Sequence, residues 1–187
     1  MSFILLISEK PQAALKIAQA LAEGNIQKKS ANNAYWFEFQ RNGIKHVCVP
    51  AAGHLFVLDT KDKKWQYPVF EMEWIPAFKR KESAFSAAYY KNLKVFSAAG
   101  NIIVCCDYDT EGEVIGYNIL RFIFNKQDAK RMKFSTLTKE ELVDAHENGL
   151  AHIDVGQAEA GLTRHYLDFL WGINTTRALT LSLKNAL

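Results

Sequence analysis

Two apolar runs, residues 3–7 and 101–106, constrain the fold of this chain more than any other feature of its sequence. Neither run alternates between apolar and polar residues, which is typical of strands in a sheet that is covered on both faces. Each run leads through a short acidic turn into apolar residues at helical spacing, from Pro11 in the first case and from Val114 in the second. The repeated order of strand, turn and helix predicts an α/β fold, with a mostly parallel sheet sandwiched by helices.

An antiparallel hairpin is predicted between these two units. Residues 35–40 and 45–49 are β-prone, and Asn42-Gly43 between them is a strong hairpin signal. We expect this hairpin to extend from the main sheet. Residues 58–82 follow no regular pattern and mix lysines, aromatic residues and prolines, which predicts a long loop. Its aromatic side chains either pin the loop to the surface or stack on nucleic-acid bases.

Helical patterns dominate the C-terminal part. Thr138 and Glu141 form a capping-box pattern that opens a helix ending near residues 148–149. A further helix over 157–171 is expected to stop at Gly172, with another beginning near residue 174.

Beyond His152 the sequence shows only helical patterns. This change predicts two domains, with residues 1–152 as the α/β domain and 153–187 as the beginning of a helical one. The apolar stripe of the last helix, at Leu179, Leu183 and Leu187, ends without a cap. It predicts that the natural polypeptide continues beyond this point.

Composition agrees with a globular protein. Of the 187 residues 49% are hydrophobic, and the net charge of +3 is only mildly basic, so charge alone does not establish a polyanionic partner. The three cysteines, Cys48, Cys105 and Cys106, form no Cys-x-x-Cys pair and indicate neither a disulfide framework nor a zinc site. The first apolar run is too short for a signal peptide or membrane span. We expect a cytoplasmic protein without a membrane partner.

Four carboxylates follow the second apolar run, at Asp107, Asp109, Glu111 and Glu113. Alternation along an extended chain places Asp107 and Asp109 together, and Glu111 follows where the chain turns into the helix. Crowded carboxylates repel one another, and a hard divalent cation such as Mg²⁺ removes that penalty. An acidic turn of this kind is, in the alternative, only a solvated helix start.

A second acidic element, Glu9-Lys10, follows the first apolar run. Sites in parallel α/β sheets form outside the carboxyl ends of the strands. Glu9 is therefore expected to face the Asp107 region although about a hundred residues separate them.

In this context the chain resembles the Toprim domain of type IA DNA topoisomerases, whose pattern is a glutamate after the first strand and Asp-x-Asp-x-Glu-Gly-Glu after a later one. Residues 5–11 and 107–113 match these elements. Residues 52–55, Ala-Gly-His-Leu, match as well, and residues 164–179 resemble the beginning of the domain that follows Toprim. Residues 65–76 are most similar to archaeal members. The resemblance covers nearly the whole chain.

The resemblance implies Mg²⁺-dependent cleavage and religation of one DNA strand, which relaxes negative supercoils. Asp107, Asp109 and Glu111 would hold Mg²⁺, and Glu113 would either join them or only contact the helix dipole. Glu9 would be the general acid that protonates the departing 3′ oxygen, with its pKa raised by neighbouring carboxylates. The alternative for Glu9 is an acid in the first helical turn, favoured by the dipole.

Four basic residues acquire roles through the same resemblance. Lys10 would place a positive charge at the scissile phosphate, unless it is simply solvated. His54 would donate to a phosphate or to the glutamate, unless it is structural. Arg164 and Arg177 would hold the backbone of a single-stranded segment of DNA. For Arg164 the alternative is an ion pair with Asp168, four residues on along the helix.

Two departures from the family pattern matter. Many members carry arginine where this chain has Thr110, so any phosphate contact of that arginine is absent or supplied elsewhere. The family's nucleophilic tyrosine lies in a downstream domain, and none of the seven tyrosines here has its context. The resemblance thus implies a Toprim fragment that is inactive alone and needs the rest of a topoisomerase chain. The rival functions are a stand-alone Toprim nuclease or primase-like enzyme, and a metal- and DNA-binding module without catalysis.

Overall fold

The structure, a computed structural model, describes residues 3–62 and 64–186. The described strands are β1 (Phe3–Ser8), β2 (Gln27–Ala31), β3 (Ala34–Arg41), β4 (Ile44–Pro50), β5 (Phe56–Thr60), β6 (Met72–Pro76), β7 (Asn101–Cys105) and β8 (Lys130–Arg131). The α-helices are α1 (Pro11–Leu21), α2 (Ser86–Val95), α3 (Thr110–Ile119), α4 (Lys139–Glu147) and α5 (Val155–Ala186). A π-helical segment, Leu120–Phe124, continues α3, and 3₁₀ turns span Ala77–Lys79 and Lys81–Ser83.

The main sheet has the strand order β2-β3-β4-β1-β7-β8. Strand β1 is central and pairs in parallel with β4 on one side and β7 on the other, and β7 pairs in parallel with β8. Strands β2, β3 and β4 pair antiparallel. The predicted α/β fold with a mostly parallel sheet is confirmed.

Helices cover both faces of this sheet, as the apolar runs predict. Side chains of β1 alternate between two clusters: Leu5 and Ile7 pack with residues of α2 and α3, whereas Leu6 packs with residues of α1 and α4. All three β1 side chains are fully buried. Burying a leucine or isoleucine side chain contributes about 1.5–3 kcal/mol, so β1 anchors the loop that follows it.

The predicted hairpin is present, and its second strand is an inner strand of the sheet. Asn42 and Gly43 have φ of 50° and 69°, as a type I′ turn requires at both central positions. Strand β4, which leaves this turn, lies directly beside β1. The hairpin therefore joins the main sheet through β4, and β3 and β2 extend the sheet at one edge as antiparallel strands.

The prediction of one long loop over residues 58–82 is wrong, because two strands include part of this range. Strands β5 and β6 pair antiparallel as a separate two-stranded sheet, with Phe56 opposite Pro76 and Leu58 opposite Trp74. The charged residues at 59–64 and the prolines concealed these strands. The connection between them leaves Trp65, Tyr67 and Phe70 49–72% exposed, whereas Trp74 on β6 packs against the core. Val69 is the buried anchor of this connection.

Helix boundaries follow the capping chemistry except at residue 172. The Thr138 side chain accepts a hydrogen bond from the Glu141 amide, and α4 ends at Glu147, as predicted. The predicted stop at Gly172 is wrong, because α5 runs unbroken from Val155 to Ala186. Asn174 does not cap a new helix: its side chain bonds both backbone groups of Val69. Leu187 lies outside the described residues. No helix within 3–62 and 64–186 is long and apolar enough to cross a membrane.

Two of the three glycines of α5, Gly161 and Gly172, are expected to respond oppositely to alanine. A Cβ at Gly172 would meet no atom within 4 Å, so Gly172→Ala should stabilise the fold by about 1 kcal/mol, the difference in helix propensity. A Cβ at Gly161 would collide with methyl groups of Val114 and Thr110 on α3, so Gly161→Ala should cost about 1–3 kcal/mol. Urea unfolding measures both. A destabilising Gly172→Ala would mean that α5 is interrupted at residue 172.

Candidate active site

Three loops meet at the carboxyl edge of the main sheet because β4, β1 and β7 run in parallel. Ser8 at the end of β1 lies opposite Pro50 of β4 and Cys105 of β7. The loops that follow carry Glu9 and Lys10, His54, and the acidic run from Asp107. Gly53, with φ of +93°, donates its amide to the Glu9 carbonyl, so the His54 loop is tied to the Glu9 loop. The structure thus brings together the elements that the sequence placed at one edge.

Lys10 links the two acidic elements by pairing with both Glu9 and Asp107. Its Nζ lies 2.6 Å from Oδ2 of Asp107 and 3.3 Å from Oε1 of Glu9. Burial and the nearby Asp107 raise the pKa of Glu9. The hydrogen bond to Asp107 raises the pKa of Lys10, which therefore stays charged. Glu9 and Asp107 face each other across one ammonium group, and Glu9 is biased toward the protonated form that a general acid needs.

Asp109 has a structural task that the sequence did not assign. It is the N-cap of α3, and its Oδ1 accepts a hydrogen bond from the Gly112 amide at 2.7 Å. A Cβ at position 112 would collide with the backbone carbonyl of Asp107. Only glycine therefore allows the backbone at Asp107 to pack this closely against the first turn of α3. The cap engages Oδ1 of Asp109 and leaves Oδ2 for a ligand.

Glu111 is held by two histidines. Nε2 of His54 lies 3.0 Å and Nε2 of His165 lies 2.9 Å from the same oxygen, Oε2. Burial raises the pKa of Glu111, but the hydrogen bond from His165 and the positive charges nearby outweigh it, so the net shift is downward. Burial, and next the charge of His165, lower the pKa of His54. Glu111 is therefore ionised and His54 neutral at neutral pH.

The carboxylates suit Mg²⁺ by chemistry but are not gathered into one tight group. Within the described part of the chain, the group of three His, Cys, Asp or Glu with ligand atoms within 4.8 Å of one another is His54, Glu111 and His165. Mg²⁺ retains several waters and takes few direct protein ligands, so oxygens of Asp107 and Asp109 fit its demands without such closeness. The site offers acidic oxygens for a divalent ion, and it also offers two imidazoles.

Glu113 is buried and forms an ion pair with a buried arginine. Its side chain is 1% exposed, and its Oε1 accepts a hydrogen bond from Nε of Arg131 at 2.8 Å. Arg131 is fully buried and also donates to the carbonyl oxygens of Cys106 and Asp107, each at 2.8 Å. Of the two alternatives for Glu113, a contact with the helix dipole alone does not hold, because Glu113 also pairs with Arg131 and, at 3.5 Å, with Nζ of Lys133. This ion pair fixes the backbone from which Asp107 projects.

The two predicted DNA-binding arginines lie on α5 in different surroundings. Arg164 lies 3.5 Å from Oε1 of Glu111 and 3.6 Å from Asp168, so the predicted ion pair with Asp168 is present beside a contact to the site. Arg177 is remote from these contacts: its guanidinium stacks over Trp65 and donates to the Gln66 carbonyl.

Sequence reasoning missed two residues of the site, His165 and Arg131. Neither follows a strand of the apolar pattern, and each reaches the site only through packing of distant segments. The one available signal for His165 was its position next to Arg164 in the segment that resembles the next topoisomerase domain.

Comparison with protein families decides the classification. The family model of the Toprim domain matches residues 4–137. The chain belongs to the Toprim domain family. The match runs from β1 through nearly all of the loop before α4, and so includes Glu9, His54 and the acidic run of this Toprim domain.

Similar proteins carry topoisomerase names. The chain is 44% identical over 187 residues to DNA topoisomerase 1 of Pyrococcus horikoshii, covering 98% of this chain and 27% of that protein. It is 43% identical to DNA topoisomerase 1 of Methanocaldococcus jannaschii, covering 96% of this chain and 24% of that protein. DNA topoisomerase 3 of Staphylococcus epidermidis is 30% identical, with 94% and 25% covered. The chain spans about a quarter of the length of these relatives.

A solved structure supports the fold. Full-length topoisomerase I from Thermotoga maritima superposes with a TM-score of 0.55 at 23% identity, over 88% of this chain and 24% of that one. At this identity the likeness shows a shared fold.

Proposed function

We propose that this chain is the N-terminal Toprim part of a type IA DNA topoisomerase that cleaves and religates one strand of negatively supercoiled DNA. The observation that carries the proposal is the meeting of Glu9, Lys10 and Asp107 at the carboxyl ends of two adjacent parallel strands. The names of the relatives support the reaction class. Residues 1–152 are the proposed Toprim domain and residues 153–187 the beginning of the next domain, and sequence outside these 187 residues would supply the nucleophilic tyrosine.

Glu9 and Lys10 are the proposed catalytic residues. Glu9 is largely buried, with 14% of its side chain exposed, and carries a raised pKa, which suits a group that gives a proton to a departing 3′ oxygen. The Lys10 side chain is 60% exposed, so its ammonium is accessible to a phosphate while it bridges the carboxylates. Proton donation and charge neutralisation would therefore act on the same phosphodiester.

The proposed metal is Mg²⁺, held by Asp107, Asp109 and Glu111. It would neutralise charge on the phosphate during cleavage and religation. Support comes from the acidic oxygens of Asp107 and Asp109 beside Lys10. For Glu113 the buried pair with Arg131 favours support of the motif backbone over metal binding.

The proposed DNA contacts are His54, Arg164 and Arg177, to a single-stranded segment. His54 and Arg164 adjoin Glu111 at the centre of the site, whereas Arg177 lies beside the exposed Trp65. An arginine and an aromatic ring together suit a phosphate and a base of one strand. Affinity for single-stranded DNA should be weak and should fall as salt rises.

The proposed compartment is the cytoplasm. Cys48, Cys105 and Cys106 are free and buried, and burial raises the pKa of the Cys48 thiol to about 12. Such thiols fit a reducing environment and are inert toward disulfide exchange.

A chimera tests the function as a whole. This chain replaces the aligned segment of the Pyrococcus horikoshii protein, and relaxation of negatively supercoiled plasmid is measured with Mg²⁺. We expect Mg²⁺-dependent relaxation. A chimera that unfolds cooperatively and binds single-stranded DNA, yet neither nicks nor relaxes plasmid, would contradict the proposal. Cleavage by the isolated 187 residues would instead favour the stand-alone nuclease.

Asp107→Asn should weaken Mg²⁺ binding to this chain by at least about tenfold, because it removes an ionised oxygen ligand while it preserves shape. Isothermal calorimetry measures the loss. The control is Asp62→Asn, an acid in the β5–β6 connection whose turn contact to the Lys64 amide an asparagine can keep. Equal Mg²⁺ affinity of the parent and Asp107→Asn would rule out the proposed metal ligands.

A further inference from the structure

Three separate elements deliver metal-binding atoms to one point. His54 follows β4, Glu111 lies in the first turn of α3, and His165 lies on α5. Both imidazole Nε2 atoms approach the same carboxylate oxygen, at 3.0 and 2.9 Å, and the two rings are 5.0 Å apart between centroids. One ligand atom from each residue lies within 4.8 Å of the other two.

These separations are those of ligands around a small cation. With Zn²⁺–ligand bonds of about 2.0–2.1 Å in tetrahedral geometry, neighbouring ligand atoms are about 3.3 Å apart. The observed nitrogen–oxygen distances are shorter by only a few tenths of an ångström. Side-chain movements smaller than a rotamer change would therefore admit the ion.

The donor set selects the kind of ion. Two imidazole nitrogens and one carboxylate oxygen suit Zn²⁺ and related transition ions, whereas Mg²⁺ takes oxygen ligands. Three protein ligands leave a fourth position for water or a phosphate oxygen, as in catalytic zinc sites. The three side chains are 28–34% exposed, so an ion has an entry path.

Packing supports His165, and both an acid and a base lie near the site, Asp109 beside His54 and Arg164 beside Oε1 of Glu111. The Trp74 ring contacts His165 edge-on at 5.7 Å, and the Trp74 indole donates to the hydroxyl of Tyr166. Gly161 permits close packing of α5 on α3, which carries Glu111. The negative charge of Asp109 acts on His54 and favours a cation at this point.

From this geometry we propose that His54, His165 and Oε2 of Glu111 bind a transition-metal ion of the Zn²⁺ class, while the other oxygen of Glu111, Oε1, stays with the Mg²⁺ proposed at Asp107 and Asp109. The Zn²⁺-class ion would bind Oε2 of Glu111, whereas Oε1 lies 3.5 Å from Arg164. Two chemically different cations would thus occupy the ends of one acidic run.

Co²⁺ provides a direct test, because its absorption spectrum reports coordination. The metal-stripped chain is titrated with Co²⁺, and we expect the strong visible bands of a four-coordinate ion, which Zn²⁺ then abolishes. His165→Gln keeps a hydrogen-bond donor for Glu111 but removes the imidazole ligand, so its Co²⁺ affinity should fall at least about 10–100-fold. His152→Gln is the matched control: this exposed histidine pairs with Asp128 and should leave the spectrum unchanged.

Only weak six-coordinate bands in the parent, or equal affinity in His165→Gln, would overturn the proposal. Thermal unfolding provides a second measurement that needs no His165 variant. In Asp107→Asn, Zn²⁺ should still raise the midpoint temperature of unfolding, whereas Mg²⁺ should no longer raise it. Absence of a Zn²⁺ effect there would also contradict the site. If the parent binds no Mg²⁺ but its Co²⁺ spectrum depends on His165, the proposed Mg²⁺ ligands fail and this site stands.

Discussion

Glu9→Gln is expected to lower DNA cleavage by the chimera about 10²–10⁴-fold, the usual contribution of a general acid. Glutamine preserves the size and polarity of the side chain but cannot give up a proton to the departing 3′ oxygen. Affinity for single-stranded DNA should remain within about twofold, because glutamine keeps the shape of Glu9 and its ability to form hydrogen bonds. Cleavage of labelled single-stranded DNA and binding by fluorescence anisotropy separate the two effects.

The control for Glu9→Gln is Glu23→Gln. Glu23 lies just after α1 and accepts a hydrogen bond from the Asn42 amide, which glutamine can keep. This variant should cleave as the unmodified chimera does. Full activity of Glu9→Gln would eliminate the general-acid role, and a parallel loss of cleavage and DNA affinity would make Glu9 a structural residue.

Arg131→Met is expected to destabilise the fold by about 3–5 kcal/mol, because the buried carboxylate of Glu113 loses its hydrogen-bonded partner and keeps only Lys133, whose Nζ lies 3.5 Å from Oε1. The same change deprives the carbonyls of Cys106 and Asp107 of a donor. Since these carbonyls fix the loop before α3, Mg²⁺ affinity should fall together with stability. Urea unfolding and calorimetry measure the two effects.

The control for Arg131→Met is Arg121→Met, at an exposed arginine that stacks on Phe122, which should change stability by less than about 1 kcal/mol. The double variant Glu113→Gln/Arg131→Met should recover part of the lost stability, because no unpaired charge remains buried. A double variant less stable than Arg131→Met alone would contradict this account of the pair.

Much of the fold was predictable because its signals are local. The apolar runs at β1 and β7, the Asn42-Gly43 turn and the Thr138 cap each depend on a few neighbouring residues, and each is present. The prediction failed where packing overrides local preference. Gly172 is helical within a 32-residue helix, and β5 and β6 pair although charges and prolines interrupt the sequence around them.

The candidate site divides in the same way. Glu9 and Asp107 were expected to meet, because parallel strands end at a common edge, and Lys10 joins them there. The partners of Glu111 and Glu113 were not predictable. His165 lies 54 residues after Glu111 in the sequence, and Arg131 lies 18 residues after Glu113. Neither separation corresponds to a helix or strand repeat.

Local sequence signals were enough to locate β1, α1, the β3–β4 hairpin, β7, α3 and α4, since apolar periodicity and turn chemistry act over short distances. The tertiary structure alone decided which ions and protons these acids can bind. It placed Asp109 on a helix cap, buried Glu113 against Arg131, and surrounded Glu111 with two histidines. The charge state and the ligands of a carboxylate depend on its neighbours in space, and tertiary packing determines those neighbours.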